Sequence, residues 1–578
     1  MAIINGTDRL HEPYNSPIVG ELDSVEKIIT TMGIWARGFN LNIDHISPVC
    51  RTFNSFKDLT TSIKEWSNYL MNCLVSNKVI RPSIKKPFNR NLYDYLRRAC
   101  YNPSNTQRCM IISLLMVKKG FPEAPKCLVD ETLKDHQELL SSPSERTDEK
   151  TVDDILEIVD KLFPYGWDLN KGICGPLPTK AVYEGGVATQ YVFPEEACSL
   201  IQQAKLTYDR FLHMRKHFKV KAVAVQQPGK IRVITKSEYS LKCLMPLQNA
   251  LMDQLRNNPS FCLTRKECEE NDFDIFLEEK GAFVSGDYKS ATDNLNLDLQ
   301  YYIMQRILFN SVTPWVKSLW MVALREVSSH KIEYEKLQSI DQVRGQLMGS
   351  LLSFPLLCII NYSIFHILFP NKKVLINGDD ILFRASQQEY DLWKVKVLSV
   401  GLQLSIGKNY FSNEIFTINS KFYRWQDRAN EIGYLHLGHL LGPMSGDSYR
   451  RIPQRFQGMY KRYCQKPFEN LRDLLEPTCF GGLGGLTLDE YNKTVPVRRP
   501  SALAIHHQMK TQEVIKLGSL AGDVLDFMSF KFMTWIYPSC RREDIPQRTR
   551  IRTKGKLGPL YEPRMIERTG NFMTFIGY

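Results

Sequence analysis

Through residues 56–75 the apolar side chains Leu59, Ile63, Trp66, Leu70 and Leu74 return at the helical interval. That spacing predicts an amphipathic helix laid on a core. Residues 141–150 interrupt the pattern with Ser, Pro, Glu and Lys and predict a loop or boundary, after which residues 152–163 resume the helical period. Strand-like runs are shorter. Residues 374–376 and 381–383 are apolar and flank Asn377-Gly378-Asp379-Asp380, a tight-turn composition. A β-hairpin with two acids at its tip is the simplest structure for that pattern. A further apolar run ends at Asp287, ahead of a helix expected over residues 294–308. No internal repeat or low-complexity tract is present.

One stretch disturbs a soluble reading. Residues 345–371 contain no Asp, Glu, Lys or Arg and are long enough to cross a bilayer. Gln346, Ser350, Ser353, Pro355, Asn361, Ser363 and His366 are a heavy polar load for a lone span, and no second span accompanies it. A buried loop followed by a helix is the better expectation.

Composition narrows the class. The 578 residues suggest three to four domain-sized units or one large multi-lobed enzyme, and 43% hydrophobic with 24% charged residues excludes a disordered or fibrous chain. The 14 cysteines form no Cys-x-x-Cys pair, which argues against a zinc ribbon or a disulfide scaffold. The N-terminal residues lack the apolar core of a secretory signal, so a reducing, cytosolic compartment is expected. A formal net charge of +13 points to a polyanionic partner. Its distribution sharpens this. Arg210, Arg215, Lys216, Lys219, Lys221, Lys230, Arg232 and Lys236 run without an intervening acid, and a second patch interleaves Arg450, Arg451, Arg455, Lys461 and Arg462 with Phe456, Tyr460 and Tyr463. Residues 541–578 are basic as well. Cations for phosphate beside aromatic faces for bases suit single-stranded nucleic acid.

The candidate chemistry lies in carboxylates. A Gly-Asp-Asp triplet arises by chance roughly 0.15 times in a chain this long, so Gly378-Asp379-Asp380 is suggestive alone. Asp287 and Asp293 stand after a strand-like run and before a helix, and bringing Asp287 beside Asp379 and Asp380 would crowd three like charges. Two Mg²⁺ ions would neutralise them and clamp the attacking and leaving oxygens of a phosphoryl transfer. Rival chemistries lack their parts. Gly481–Gly485 is followed by no Lys-Ser/Thr, His436, His439, His506 and His507 have no metal-site spacing, and no Gly-x-Ser-x-Gly elbow occurs.

Six segments in order resemble a viral RNA-dependent RNA polymerase. Pro228-Gly-Lys230-Ile-Arg232-Val-Ile-Thr-Lys236 is similar to motif F, Gly286-Asp287 through Asp293-Asn-Leu295 to motif A, and Gly345-Gln-Leu-Met-Gly349-Ser350-Leu-Leu-Ser353 to motif B. Asn377-Gly-Asp379-Asp380 resembles motif C, the segment from Gly401 to Lys408 motif D, and Ile418-Asn419-Ser420-Lys-Phe422 motif E. The wording of motifs A and B is nearest to the narnavirus and ourmia-like (botourmiavirus) polymerases, relatives of the RNA coliphage replicases. Residues 175–180 add a weaker similarity.

The resemblance implies an α+β right-hand polymerase with a ferredoxin-like antiparallel palm sheet. Residues 1–160 would be an N-terminal extension, 161–280 fingers, 281–425 palm with 301–344 inserted, and 426–578 thumb and basic C-terminal region. It implies that Asp287 and Asp379 ligate two Mg²⁺, with Asp380 assisting and Mn²⁺ able to substitute. Lys230, Arg232 and Lys236 would meet the triphosphate, Asp293 would sense the ribose 2′-hydroxyl, and Lys408 would act as general acid or contact phosphate. Gly345, Gly349, Ser350, Ser420, Arg450, Arg451 and Arg455 would face template or product. Many positive-strand polymerases carry an Asn just past the motif B loop to help read the ribose; here that region holds Ser353 and Phe354, and the first Asn is Asn361. Ser353 is the substitute expected for it. The implied partners are single-stranded viral RNA, nascent RNA, NTPs and host protein subunits. A monomer without a transmembrane segment is expected, in the host cytoplasm as a ribonucleoprotein. A reverse transcriptase, which Asp293 disfavours, and an inactive RNA-binding relative, which the intact acids disfavour, are the alternatives.

Overall fold

The computed structural model describes residues 17–53, 55–76, 85–172, 181–185, 218–264, 266–405, 407–442, 451–463, 564–568 and 572–576. Residues 175–180, 210–217, Arg450, 481–485, His506, His507 and most of the basic C-terminal region lie outside them. In chain order the strands are β1 (Lys219–Gln227), β2 (Lys230–Ser237), β3 (Ala282–Gly286), β4 (Lys331–Glu333), β5 (Ile340–Asp341), β6 (Val374–Asn377) and β7 (Asp380–Ala385). They continue with β8 (Tyr410–Ser412), β9 (Ile415–Ile418), β10 (Lys421–Trp425), β11 (Ala429–Glu431), β12 (Arg564–Arg568) and β13 (Phe572–Ile576).

The chain divides into two units. The first comprises Met1–Thr132, Ala224–Arg232 and Leu435–Gly438. It is mainly helical, and the helix Phe56–Ser76 buries Leu59, Ile63, Trp66, Leu70 and Leu74, the five residues its period assigned to a core. Trp66 meets the ring edges of Tyr69 and Tyr93 with centroids 5.2 Å away in each case. The helix Asn105–Leu115 starts from a capping box of Ser104 and Gln107, which satisfies two backbone donors at once.

The second unit, Leu133–Val223, Val233–Tyr434 and His439–Tyr578, carries the acids. The loop expected near residue 145 separates the helices Leu128–Ser141 and Glu149–Leu162, the latter capped by Asp148, whose side chain accepts from the Thr151 amide at 2.9 Å. Four strands form a sheet ordered β6-β7-β3-β8, antiparallel throughout, with Gly286 opposite Ile381, Asn377 opposite Asp380 and Ser285 opposite Tyr410. Helices Leu297–Phe309 and Ser353–Leu368 lie between β3 and β6 in sequence, and Gln387–Lys396 between β7 and β8. That β-α-β-β-α-β order on a 2-3-1-4 sheet is the ferredoxin-like arrangement.

Both faces of this sheet are covered, which is why its strands read as continuous apolar runs. Val284, Ile376, Ile381 and Phe383 point into a core shared with the helices, while Phe283, Leu375 and Leu382 meet Phe273, Phe276, Phe416 and Tyr423 on the other side. The strand period of two sorts neighbouring residues to opposite cores. The uncharged stretch resolves as loop and buried helix. Ser353–Leu368 spans 16 residues, ~24 Å at 1.5 Å per residue and short of a bilayer's ~30 Å core. Among the described residues no helix is long and apolar enough to cross a membrane. A second sheet, β2-β1-β4-β5, includes the parallel pair β1–β4, and a third, β11-β10-β9, is antiparallel.

Candidate active site

The hairpin forms as its composition demands, with one adjustment. Gly378 and Asp379 make a two-residue turn and Asp380 already opens β7, so only Asp379 sits at the tip. Gly378 has φ +67°, and a side chain there would strike the Phe354 ring, so the turn needs glycine twice over.

Asp287 follows β3 directly beside that hairpin. Its amide donates to Asn409 Oδ1 at 3.0 Å, and Asn409 Nδ2 returns a bond to the Asp287 carbonyl at 3.1 Å. Its carboxylate Oδ2 accepts from Lys408 Nζ at 2.8 Å. Asp380 is half-buried, and its Oδ2 accepts from the Asn419 amide at 3.1 Å. Burial, and then the charges of Asp379 and Asp287, push its carboxyl up to about 7, against the partial relief of the Asn419 amide and Lys408. Asp380 therefore lies within the electrostatic reach of both other acids.

Asn419 and Ser420 form the β9–β10 turn, both with positive φ (54° and 61°), as a type I′ turn requires. The Asn419 side chain accepts from Asn377 Nδ2 at 2.8 Å, so this turn grips the start and the end of the acidic hairpin together. Ser420 contributes its carbonyl to the Tyr434 hydroxyl at 3.1 Å.

Further along motif A, Asp293 Oδ1 accepts from the neighbouring Thr292 hydroxyl at 3.1 Å. The expected helix breaks here: a single turn, Ala291–Asn294, precedes Leu297–Phe309, and Leu295 between them is extended. The break frees the Leu295 carbonyl to accept from the Gly345 amide at 2.8 Å and the Thr292 carbonyl to accept from the Gln346 amide at 2.6 Å. Gly345 (φ +82°) packs so tightly that a Cβ would lie 2.7 Å from the Asp293 carbonyl oxygen. Gly349 lies against the Thr235 backbone, and the Ser350 hydroxyl accepts from the Leu352 amide at 3.3 Å. Ser353 is buried and donates to Gln346 Oε1 at 2.9 Å. Asn361 turns the other way and donates to the Gly378 carbonyl at 3.1 Å.

The fold thus gathers Asp287, Asp379, Asp380 and Lys408 at one end of the sheet. Lys230 and Arg232 alternate on β2 with exposed side chains and belong to the first unit, whereas Lys236 is half-buried in the second. Arg451 pairs with Glu267, and the Arg455 guanidinium stands 4.6 Å from the Phe456 ring centroid. Asn361 and Asn409 serve the site without a signal in local sequence, and Asn419 and Tyr288, though within motifs E and A, act through partners far along the chain.

Among the described residues, no group of three or more His, Cys, Asp or Glu stands ready to hold a metal ion. Asp287 faces the Lys408 ammonium instead. The donor set nonetheless suits a hard divalent cation. It is all carboxylate oxygen, and its mutual repulsion is what such a cation relieves.

The chain is similar to a curated protein named RNA-dependent RNA polymerase from Ourmia melon virus (isolate Melon/Iran/VE9), at 27% identity over 304 residues, covering 46% of this chain and 34% of the relative. It therefore spans about a third of that relative's length. Among solved structures it is similar to the BmCPV RNA-dependent RNA polymerase at elongation state, at 12% identity and a TM-score of 0.47, covering 77% of this chain and 48% of the other. The family model for the mitovirus RNA-dependent RNA polymerase matches residues 194–499. With more than half of its length matched, and with motifs A and C meeting on a ferredoxin-like sheet, the chain belongs to the mitovirus RNA-dependent RNA polymerase family.

Proposed function

We propose that the chain is an RNA-directed RNA polymerase that copies a positive-strand viral RNA genome from NTPs. The observation that carries the reading is the convergence of Asp287, Asp379 and Asp380, with Asp380 driven up to about 7 by burial and its two neighbours. RNA binding alone would not call for such a cluster, because anionic groups repel phosphate.

Asp287 and Asp379, with Asp380 assisting, would hold two Mg²⁺ ions, with Mn²⁺ able to substitute. Such ions activate the attacking 3′-hydroxyl and neutralise charge on the leaving pyrophosphate. The chain's own residues then bind and orient. Lys230, Arg232 and Lys236 would meet the triphosphate, Asp293 would accept from the ribose 2′-hydroxyl, and Ser353 would support that contact through Gln346, whose amide donates to the Thr292 carbonyl. Lys408 holds Asp287 until substrate enters and then donates a proton, or a charge, to the departing phosphate. Gly345, Gly349, Ser350, Ser420, Arg451 and Arg455 would face the RNA, and Arg450, outside the described residues, is assigned the same role from its sequence position. In this reading residues 281–425 are palm, 161–280 fingers, 426–578 thumb and 1–160 an extension, and a monomer works in the host cytoplasm as a ribonucleoprotein with viral RNA.

The test is labelled-nucleotide incorporation on single-stranded RNA, with NTPs and dNTPs compared. Template-length product from NTPs, and at least tenfold less from dNTPs, is the expected result. Efficient dNTP incorporation would instead make the chain a reverse transcriptase.

A further inference from the structure

The turn that carries Asp379 is held at both polar groups of Gly378. Its N–H donates to Cys358 Sγ at 3.3 Å, and its carbonyl accepts from Asn361 Nδ2 at 3.1 Å. Cys358 and Asn361 both come from the helix Ser353–Leu368, and both are fully buried. The second half of the Asn361 amide is also used: Tyr288 Oη donates to Asn361 Oδ1 at 2.8 Å. The amide orientation follows from the chemistry. The Gly378 carbonyl can only accept, so the NH₂ group faces it and the oxygen faces Tyr288.

Tyr288 is the residue after Asp287, and Gly378 is the residue before Asp379. An unbroken chain of hydrogen bonds therefore joins the two strands that bring these acids together, routed through one buried helix. We propose that Tyr288 and Asn361 are positioning residues that fix the separation of Asp287 and Asp379, and so set the affinity of the site for divalent cations. The inference rests on the reading that these carboxylates hold metal.

Three features support a positioning role over simple packing. A two-residue turn bearing a carboxylate close to like charges has every incentive to swing away, and the tie opposes that swing. Both side chains of the tie are buried, Tyr288 at 4% and Asn361 at 0% exposure, so its hydrogen bonds are shielded from solvent. Finally, Asn361 makes a bond to each strand's segment, so losing either bond leaves a buried polar group unpaired as well as loosening the turn.

The experiment measures Mn²⁺ binding to the full chain by electron paramagnetic resonance of the free ion, without RNA, for wild type, Tyr288→Phe and Asn361→Asp. Ser363→Ala serves as a control, since Ser363 is buried in the same helix with its hydroxyl outside any hydrogen bond. Loss of a tie of this kind costs about tenfold or more in metal affinity. Both variants should bind Mn²⁺ at least that much more weakly while still unfolding cooperatively at a somewhat lowered temperature, and the control should match wild type in Mn²⁺ affinity. Should Asn361→Asp not fold, Tyr288→Phe, which removes one oxygen atom, decides alone. Folded variants with wild-type Mn²⁺ affinity overturn the inference and leave the polymerase reading standing. A wild type that binds no Mn²⁺ overturns both.

Discussion

Asp380 carries a heavy electrostatic burden. Its carboxyl ordinarily titrates near 3.8 and is pushed up to about 7 here. A raised folded-state pKa means that the neutral form suits the fold. The stability it contributes is full below about pH 4, declines as pH rises, and is lost once pH passes about 7. Without divalent cations, the melting temperature of wild type should therefore fall relative to Asp380→Asn between pH 5 and pH 7 and hold level above that. A difference that stays constant from pH 5 to pH 8 would contradict the raised pKa that burial, and then Asp379 and Asp287, give Asp380. Lys408 is the counterpart: its ammonium, 2.8 Å from Asp287, supplies positive charge to a cluster that needs it.

At the scale of elements, the junction of motifs A and B is a backbone knot. Gly345 donates to the Leu295 carbonyl, and its own carbonyl receives Gln300 Nε2 at 3.1 Å and Gln342 Nε2 at 2.9 Å. Gly345→Ala would force a side chain into a left-handed conformation and against the Asp293 backbone. Strain of that kind costs about 1–3 kcal/mol. The variant should melt several degrees lower and discriminate less between NTPs and dNTPs, because Asp293 moves with the clash. Unchanged selectivity in a destabilised variant would detach Asp293 from ribose reading. This knot was not legible in the sequence. The uninterrupted pattern of residues 294–308 suggested one helix, and the break at Leu295 exists for hydrogen bonds to residues about 50 positions away. The acidic hairpin was legible, because β-prone runs around Asn-Gly-Asp-Asp specify a turn locally. The role of Asn361 was not, since a missing Asn near Ser353 invited a search for a ribose contact, whereas Asn361 serves the turn at Gly378.

Across the whole molecule, long-range pairing brings local signals together. β3 and β7 lie about 100 residues apart in sequence, yet their register places Gly286 opposite Ile381 and so sets Asp287 beside the hairpin tip. Sequence supplied the strands and the order of motifs; the ferredoxin-like sheet supplies the meeting point. In the proposed function the net charge of +13 complements the acids: it would draw polyanionic RNA to a molecule whose acidic centre would otherwise repel it. Charge and chemistry should therefore separate by mutation. The most direct measurement is template-directed NTP incorporation by wild type beside Asp379→Asn, with RNA affinity measured on the same preparations. The account predicts template-length product from wild type, at least a hundredfold loss in Asp379→Asn, and RNA affinity unchanged within about twofold. Equal incorporation by the two proteins would contradict the assignment of the site.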